Sequence, residues 1–241
     1  LLMYQYFHSY DIVFIIALLT SGIGLYINST VKLKERIIQT KKCHLSLDRF
    51  ILLKGWSIGI TLACLAFSYG IISTYLAIYG KEELHMTSGT GIFFAILCFG
   101  LMTSRIIGAR TLRRNMIVLN CSLGIIISLF GYFVFAAFHN YWGYYGSALI
   151  IGLGNGHMFP AMQNMFISLA ASSQRGTANS TLLTSWDIGI GLGVLFGGSF
   201  VEWFGYTSAF WLAWVVNALG VSFFFAYARL HYQRNKYIPC S

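Results

Sequence analysis

Seven stretches of the chain are apolar for about twenty residues or more, near 11–30, 54–79, 89–109, 115–138, 144–169, 179–201 and 207–228. A helical segment of that length matches the hydrocarbon thickness of a bilayer, and only helices and closed barrels satisfy their backbone hydrogen bonds in lipid. Barrel strands run for about ten residues and alternate in polarity. These segments stay apolar for roughly twice that length, which predicts an all-α, polytopic membrane protein with seven transmembrane helices. Composition agrees: 57% of residues are hydrophobic and 10% charged, where a soluble domain carries about a quarter charged residues. The spans hold most of the chain and leave no room between them for a soluble domain of ordinary size.

The net charge of +9 raises the question of nucleic acid, but its distribution follows the spans. If seven helices alternate direction, 15 of the 16 Lys and Arg fall on one side: Lys32 to Lys54 after the first span, Arg105 to Arg114 after the third, Arg175 after the fifth, and Arg229 to Lys236 after the last. Lys81 shares the other side with Glu82, Glu83 and Glu202. The positive-inside rule makes the crowded side cytoplasmic, placing the start of the chain outside and its end inside. Tyr75, Tyr79, Tyr141, Trp142, Trp203 and Tyr206 fit an aromatic belt at the outer boundary. No nucleic-acid partner is expected; the lipid bilayer is.

The five cysteines (Cys43, Cys64, Cys98, Cys121 and Cys240) form no CxxC or Cys/His cluster, so neither a disulfide framework nor a metal site is expected, and no cofactor. The chain opens without Met or a basic signal region, and a first span that enters from outside implies earlier helices. A fragment lacking an N-terminal portion is the expectation. Asn28-Ser-Thr30 and Asn179-Ser-Thr181 match the glycosylation pattern but fall on the cytoplasmic side. Compact loops suit a bacterial inner membrane.

Four segments follow: 1–30, an outer segment with the first helix; 31–53, a basic cytoplasmic loop with an amphipathic run at Leu33, Ile37 and Ile38; 54–228, a six-helix bundle; and 229–241, a cytoplasmic tail. Between the second and third bundle helices lies Arg105-Ile-Ile-Gly108-Ala-Arg110-Thr-Leu-Arg113-Arg114. Further on come Gly152-Leu-Gly154-Asn155-Gly156-His157-Met-Phe-Pro160, Arg175-Gly176-Thr-Ala-Asn-Ser, and Asp187-Ile-Gly189-Ile-Gly191-Leu-Gly193.

This pattern resembles the C-terminal half of a major facilitator superfamily transporter, from its sixth helix through the central loop to its twelfth. The Arg105 stretch resembles the second copy of the family's cytoplasmic loop motif, without its usual Asp and later Gly, and Arg105 is its best match. The glycine-rich stretches resemble helix ten and the entry to helix eleven of drug- and sugar-efflux-like carriers. The resemblance implies ion- or proton-coupled movement of a small organic solute by alternating access, with the missing N-terminal half or a second copy as partner.

Asp187 is the one acid inside a span. Burying such a group costs about 2.5–3.5 kcal/mol on insertion scales, so it faces a cavity or a partner and suits proton binding, or else it ties a neighbouring helix. Asn155, His157, Gln163 and Asn164 lie on the 144–169 span. Helical spacing puts Asn155, Met162 and Phe166 on one face and His157, Pro160 and Asn164 on another, so some of them must join helices. The family's helix ten lines the central cavity, which favours Asn155 and His157 as solute contacts. Gly189, Gly193 and Gly197 repeat every four residues, as do Gly152 and Gly156, a spacing for close helix packing, with Pro160 allowing a kink. No strand precedes Gly152, so the stretch is not a phosphate loop. Tyr69, with Phe67, Tyr75 and Trp186 as further aromatics, is a candidate pocket wall.

Two other classes remain: a membrane enzyme built on His157 and Asp187, and a non-transporting membrane protein. GxSxG, paired acids and metal-ligand spacing are all absent from the sequence, which argues against a catalytic residue.

Overall fold

The computed structural model describes residues 10–31, 51–86 and 89–236. The Leu33–Ile38 run, most of the 31–53 loop, Cys43, Cys240 and the end of the tail lie outside the described residues. Every element in the described residues is helical: α1 Tyr10–Thr30, α2 Trp56–Glu82, α3 Thr90–Arg113, α4 Ile117–Ala137, α5 Tyr141–Leu169 and α6 Arg175–Phe223. A π-turn at Phe224–Ala228 and a short α7 at Arg229–Asn235 continue α6.

Five helical stretches are long and apolar enough to cross a membrane: Asp11–Thr30, Leu53–Glu82, Thr90–Arg113, Ile117–Ala137 and Ser172–Asn235. The last spans 64 residues, roughly 95 Å at the usual helical rise, enough for two crossings. It folds back at Gly205, whose φ of 79° and ψ of 172° belong to a region that only glycine occupies without strain. The two segments expected at 179–201 and 207–228 are thus two arms of one helical run. Helix α5 has 29 residues, long enough to span, but its glycines, Asn155, His157 and Gln163 dilute its apolar character.

Glycine decides how the helices meet. On α6, a Cβ at Gly193 would stand 3.0 Å from Phe67 Cα, and one at Gly189 would stand 2.7 Å from the Ala66 methyl, so the first arm of α6 lies against the α2 backbone. Helix α5 does this twice. Gly152 and Gly156 face α3, where a Cβ at Gly156 would come 2.7 Å from the Leu101 carbonyl oxygen; Gly154 faces α4, where it would come 2.5 Å from the Ser128 nitrogen. Approach this close gains dispersion contacts that lipid cannot supply.

The core divides by depth. At the end carrying Arg113, Arg175 and Arg229, hereafter the basic end, Leu62, Met162, Phe166, Leu182 and Phe224 pack together. At the other end Ile71, Tyr79, Phe93, Phe135 and Phe210 do so. Phe135 and Phe210 meet edge-on, their ring centres 4.7 Å apart, a favoured aromatic geometry. The α5 start is capped by Asn140, whose side chain accepts from the Gly143 N–H at 2.7 Å. None of the α1 span is buried in the structure.

Candidate functional site

Asn155 and His157 both turn toward α4. The Asn155 Oδ1 accepts from Ser128 Oγ at 3.1 Å. Asn120 brackets His157: its Nδ2 donates to the His157 carbonyl at 3.1 Å, and its Oδ1 lies 2.9 Å from the His157 Nδ1. A carbonyl oxygen only accepts, so with this amide orientation the Nδ1 carries the proton and Nε2 is the nitrogen left to titrate. Gly108 makes room for this pair, since a Cβ there would meet Nδ1 of His157 at 2.8 Å.

Gln163 points the other way around α5, where its Nε2 donates to Asn179 Oδ1 on α6 at 3.0 Å. About two turns further along α6, Trp186 sits between two rings: Tyr69 on α2, with centroids 5.6 Å apart, and Phe159 on α5, 5.4 Å apart and edge-on. Tyr69 therefore belongs to an aromatic cluster that joins three helices. Asp187, next along α6, is exposed and makes no ion pair or side-chain hydrogen bond with the described residues. Asn164 donates to the Pro160 carbonyl at 2.8 Å, within its own helix.

Between α3 and α5, at the basic end, opens a cleft of about 350 Å³. Arg105 and Gly108 of α3, Asn120 of α4, and Phe159, Pro160 and Gln163 of α5 form its walls. Arg110 is exposed and stands outside this lining. Gly156 also borders the cleft, and Pro160 has no N–H to give its carbonyl, leaving that oxygen without its usual helical donor. The structure thus brings together Arg105, Gly108, Gly156, Pro160 and Gln163, candidates drawn from two separate sequence motifs. It leaves Asp187 apart from them.

Asn120, Ser128, Asn179 and Phe159 contact the candidate residues, and the sequence reading did not single them out as such. Asn120 carried a legible signal, an amide in the first turn of an apolar span, where a polar side chain needs a partner. Phe159 carried none among 20 phenylalanines. Among the described residues no three His, Cys, Asp or Glu gather to hold a metal ion.

The family model for the Major Facilitator Superfamily matches residues 1–170 and 121–238. No curated protein matches. Among solved structures, a bacterial homolog of the human lysosomal transporter Spinster, inward-facing and unoccupied, aligns with TM-score 0.69 and 14% identity, covering 87% of this chain and 55% of that one. The POT family transporter PepTSo aligns with TM-score 0.61 and 19% identity over 77% of this chain and 38% of its own. A peptide transporter of the POT family, an E310Q mutant in complex with sulfate, aligns with TM-score 0.63 and 18% identity over 76% and 39%. At such identities the likeness is one of fold, and the chain spans between 38% and 55% of these proteins' lengths. With its apolar helices, its glycine-packed bundle and a family match along nearly its whole length, the chain is a multi-pass membrane protein that belongs to the Major Facilitator Superfamily.

Proposed function

We propose that this chain supplies the C-terminal half of a secondary transporter, which moves a small organic solute by alternating access against an N-terminal half. The observation that carries the reading is the gathering of polar and aromatic groups from five helices, α2 to α6, about the Phe159 ring. Tyr69, Trp186 and Phe159 pack together, and Gln163, Asn120 and Arg105 border a cleft that touches the same Phe159 ring. Solute sites in such carriers lie near the bilayer midplane between the two halves. The absence of a nucleophile motif in the sequence speaks for transport over catalysis.

Asp187 is the coupling residue in this reading. It lies about three turns from the start of its arm and about five from Gly205, is the lone acid of that arm's interior, and has no partner in the described residues. The basic end faces the cytoplasm, as the positive-inside rule requires. The test is proton-driven solute uptake by the gene's complete product in vesicles, comparing Asp187→Asn with the unaltered protein. Coupling is expected to vanish while membrane insertion and abundance hold. Normal proton-driven transport by the variant would overturn the assignment.

A further inference from the structure

The cleft between α3 and α5 has a one-sided chemistry. Arg105 is the sole charged residue in its wall, about two turns before the basic end of α3, and no carboxylate lines it. Asp187, on α6, stands outside the lining. Among the described residues Arg105 makes no ion pair. The amides beside it are already engaged, Asn120 at both ends by His157 and the Gln163 Nε2 by Asn179. What remains unspent is the Arg105 guanidinium, a planar set of N–H donors that matches a carboxylate or phosphate two bonds at a time.

Apart from those amides the wall is apolar, with Leu112, Phe159 and Pro160 in its lining. At about 350 Å³ the cleft falls at the small end of ligand sites. We infer that this cleft binds a small organic anion, its carboxylate or phosphate paired with Arg105 and its apolar body laid on Phe159. The inference rests on the carrier reading for its use, since it names the class of solute, but binding itself does not require transport. An anionic lipid headgroup has the same chemistry as a soluble acid, so the source must be separated by experiment.

The experiment uses the whole chain purified in a neutral detergent. Three probes of matched shape are added at millimolar concentration: benzoate, benzamide and benzylamine. Two quantities are read, the thermal unfolding midpoint and the protection of Arg105 from phenylglyoxal, followed by mass spectrometry. Benzoate is expected to raise the midpoint by several degrees and to protect Arg105 about tenfold better than benzamide does, with benzylamine inert. Arg105→Gln should unfold at the unaltered chain's ligand-free midpoint and lose the benzoate response, while Arg105→Lys keeps part of it. Because the protection arm uses the unaltered chain, it decides even where a variant fails to fold.

Protection by phosphatidylglycerol and not by benzoate would assign the site to a lipid headgroup and uphold its anion chemistry. Equal responses to benzoate and benzamide, a stronger response to benzylamine, or protection by no anion would overturn the inference. Benzoate protection in a chain whose complete product moves no solute would leave the site standing and remove the carrier reading. Transport with no anion protecting Arg105 would do the reverse.

Discussion

Two glycines two residues apart on α6 should respond in opposite directions to the same substitution. Gly193 lies against α2, where a Cβ would stand 2.9 Å from the Phe67 carbonyl carbon and 3.0 Å from its Cα, and closer still to its oxygen. Those atoms belong to a helical backbone and cannot rotate aside, so Gly193→Ala must push α6 away from α2 by a few tenths of an ångström or more. Overpacking of this kind costs about 1–3 kcal/mol, offset by roughly 0.5–1 kcal/mol that alanine gains over glycine inside a helix. A net loss of about 1–2 kcal/mol follows. At Gly191 a Cβ meets nothing within 4 Å, so Gly191→Ala should realise only the gain, about 0.5–1 kcal/mol. Thermal or denaturant unfolding of the purified chain in micelles measures both, and the two variants should straddle the unaltered chain. If both move the same way, the close contact seen at Phe67 does not set the α2–α6 distance, and the packing argument fails.

Three further outcomes follow from particular contacts. Asn217 is fully buried and both its amide atoms lack a hydrogen-bond partner; Asn217→Leu, similar in volume, should stabilise by about 1–2 kcal/mol, and a loss of stability in the same unfolding assay would show that the amide has a partner after all. Asn120→Ala removes both bonds to His157 and should cost about 1–3 kcal/mol, with the His157 ring released from the one tautomer that Asn120 fixes, read as a change in its ring-nitrogen NMR signals; unchanged signals would contradict the bracket. Gly205→Ala forces a side chain onto a positive φ with open space around it, so its expected cost of about 1–2 kcal/mol is purely one of backbone strain; Gly205→Asn should cost as much, because a ψ of 172° lies outside the left-handed helical well that Asn tolerates, and a neutral alanine variant would argue against the strain.

The helices were legible because length and apolarity alone define a span in lipid, and the turn at Gly205 lay where the charged and aromatic residues Glu202, Trp203 and Tyr206 interrupt the last two segments. Gly189, Gly193 and Gly197 were legible as a packing stripe because their period matches the helix. The direction of each polar side chain was not. Asn155 and His157 both hydrogen-bond to α4 although they stand on different faces of α5, since Gly154, just before them, lets α4 come close enough to reach around. Nothing local to α5 encodes that approach; it depends on Gly124 and Ser128 of another helix. The cleft was hidden for the same reason, being assembled from a loop-motif arginine and a helix-ten-like glutamine that are 58 residues apart in the sequence.

The glycine contacts also sort the bundle into two bodies. Helices α3, α4 and α5 are locked by backbone-to-backbone seating at Gly124, Gly152, Gly154 and Gly156, and α2 is locked to α6 in the same way at Gly70, Gly189 and Gly193. Contacts of this kind cannot loosen by degrees, because the first fraction of an ångström already forfeits much of the dispersion energy. Between the bodies run softer joints, among them the Trp186–Phe159 edge and the Gln163–Asn179 amide pair. Mechanically the molecule resembles two rigid plates with a hinge pin of rings between them, and the seam along that pin is where heat, pressure or a wedge of ligand would first part it.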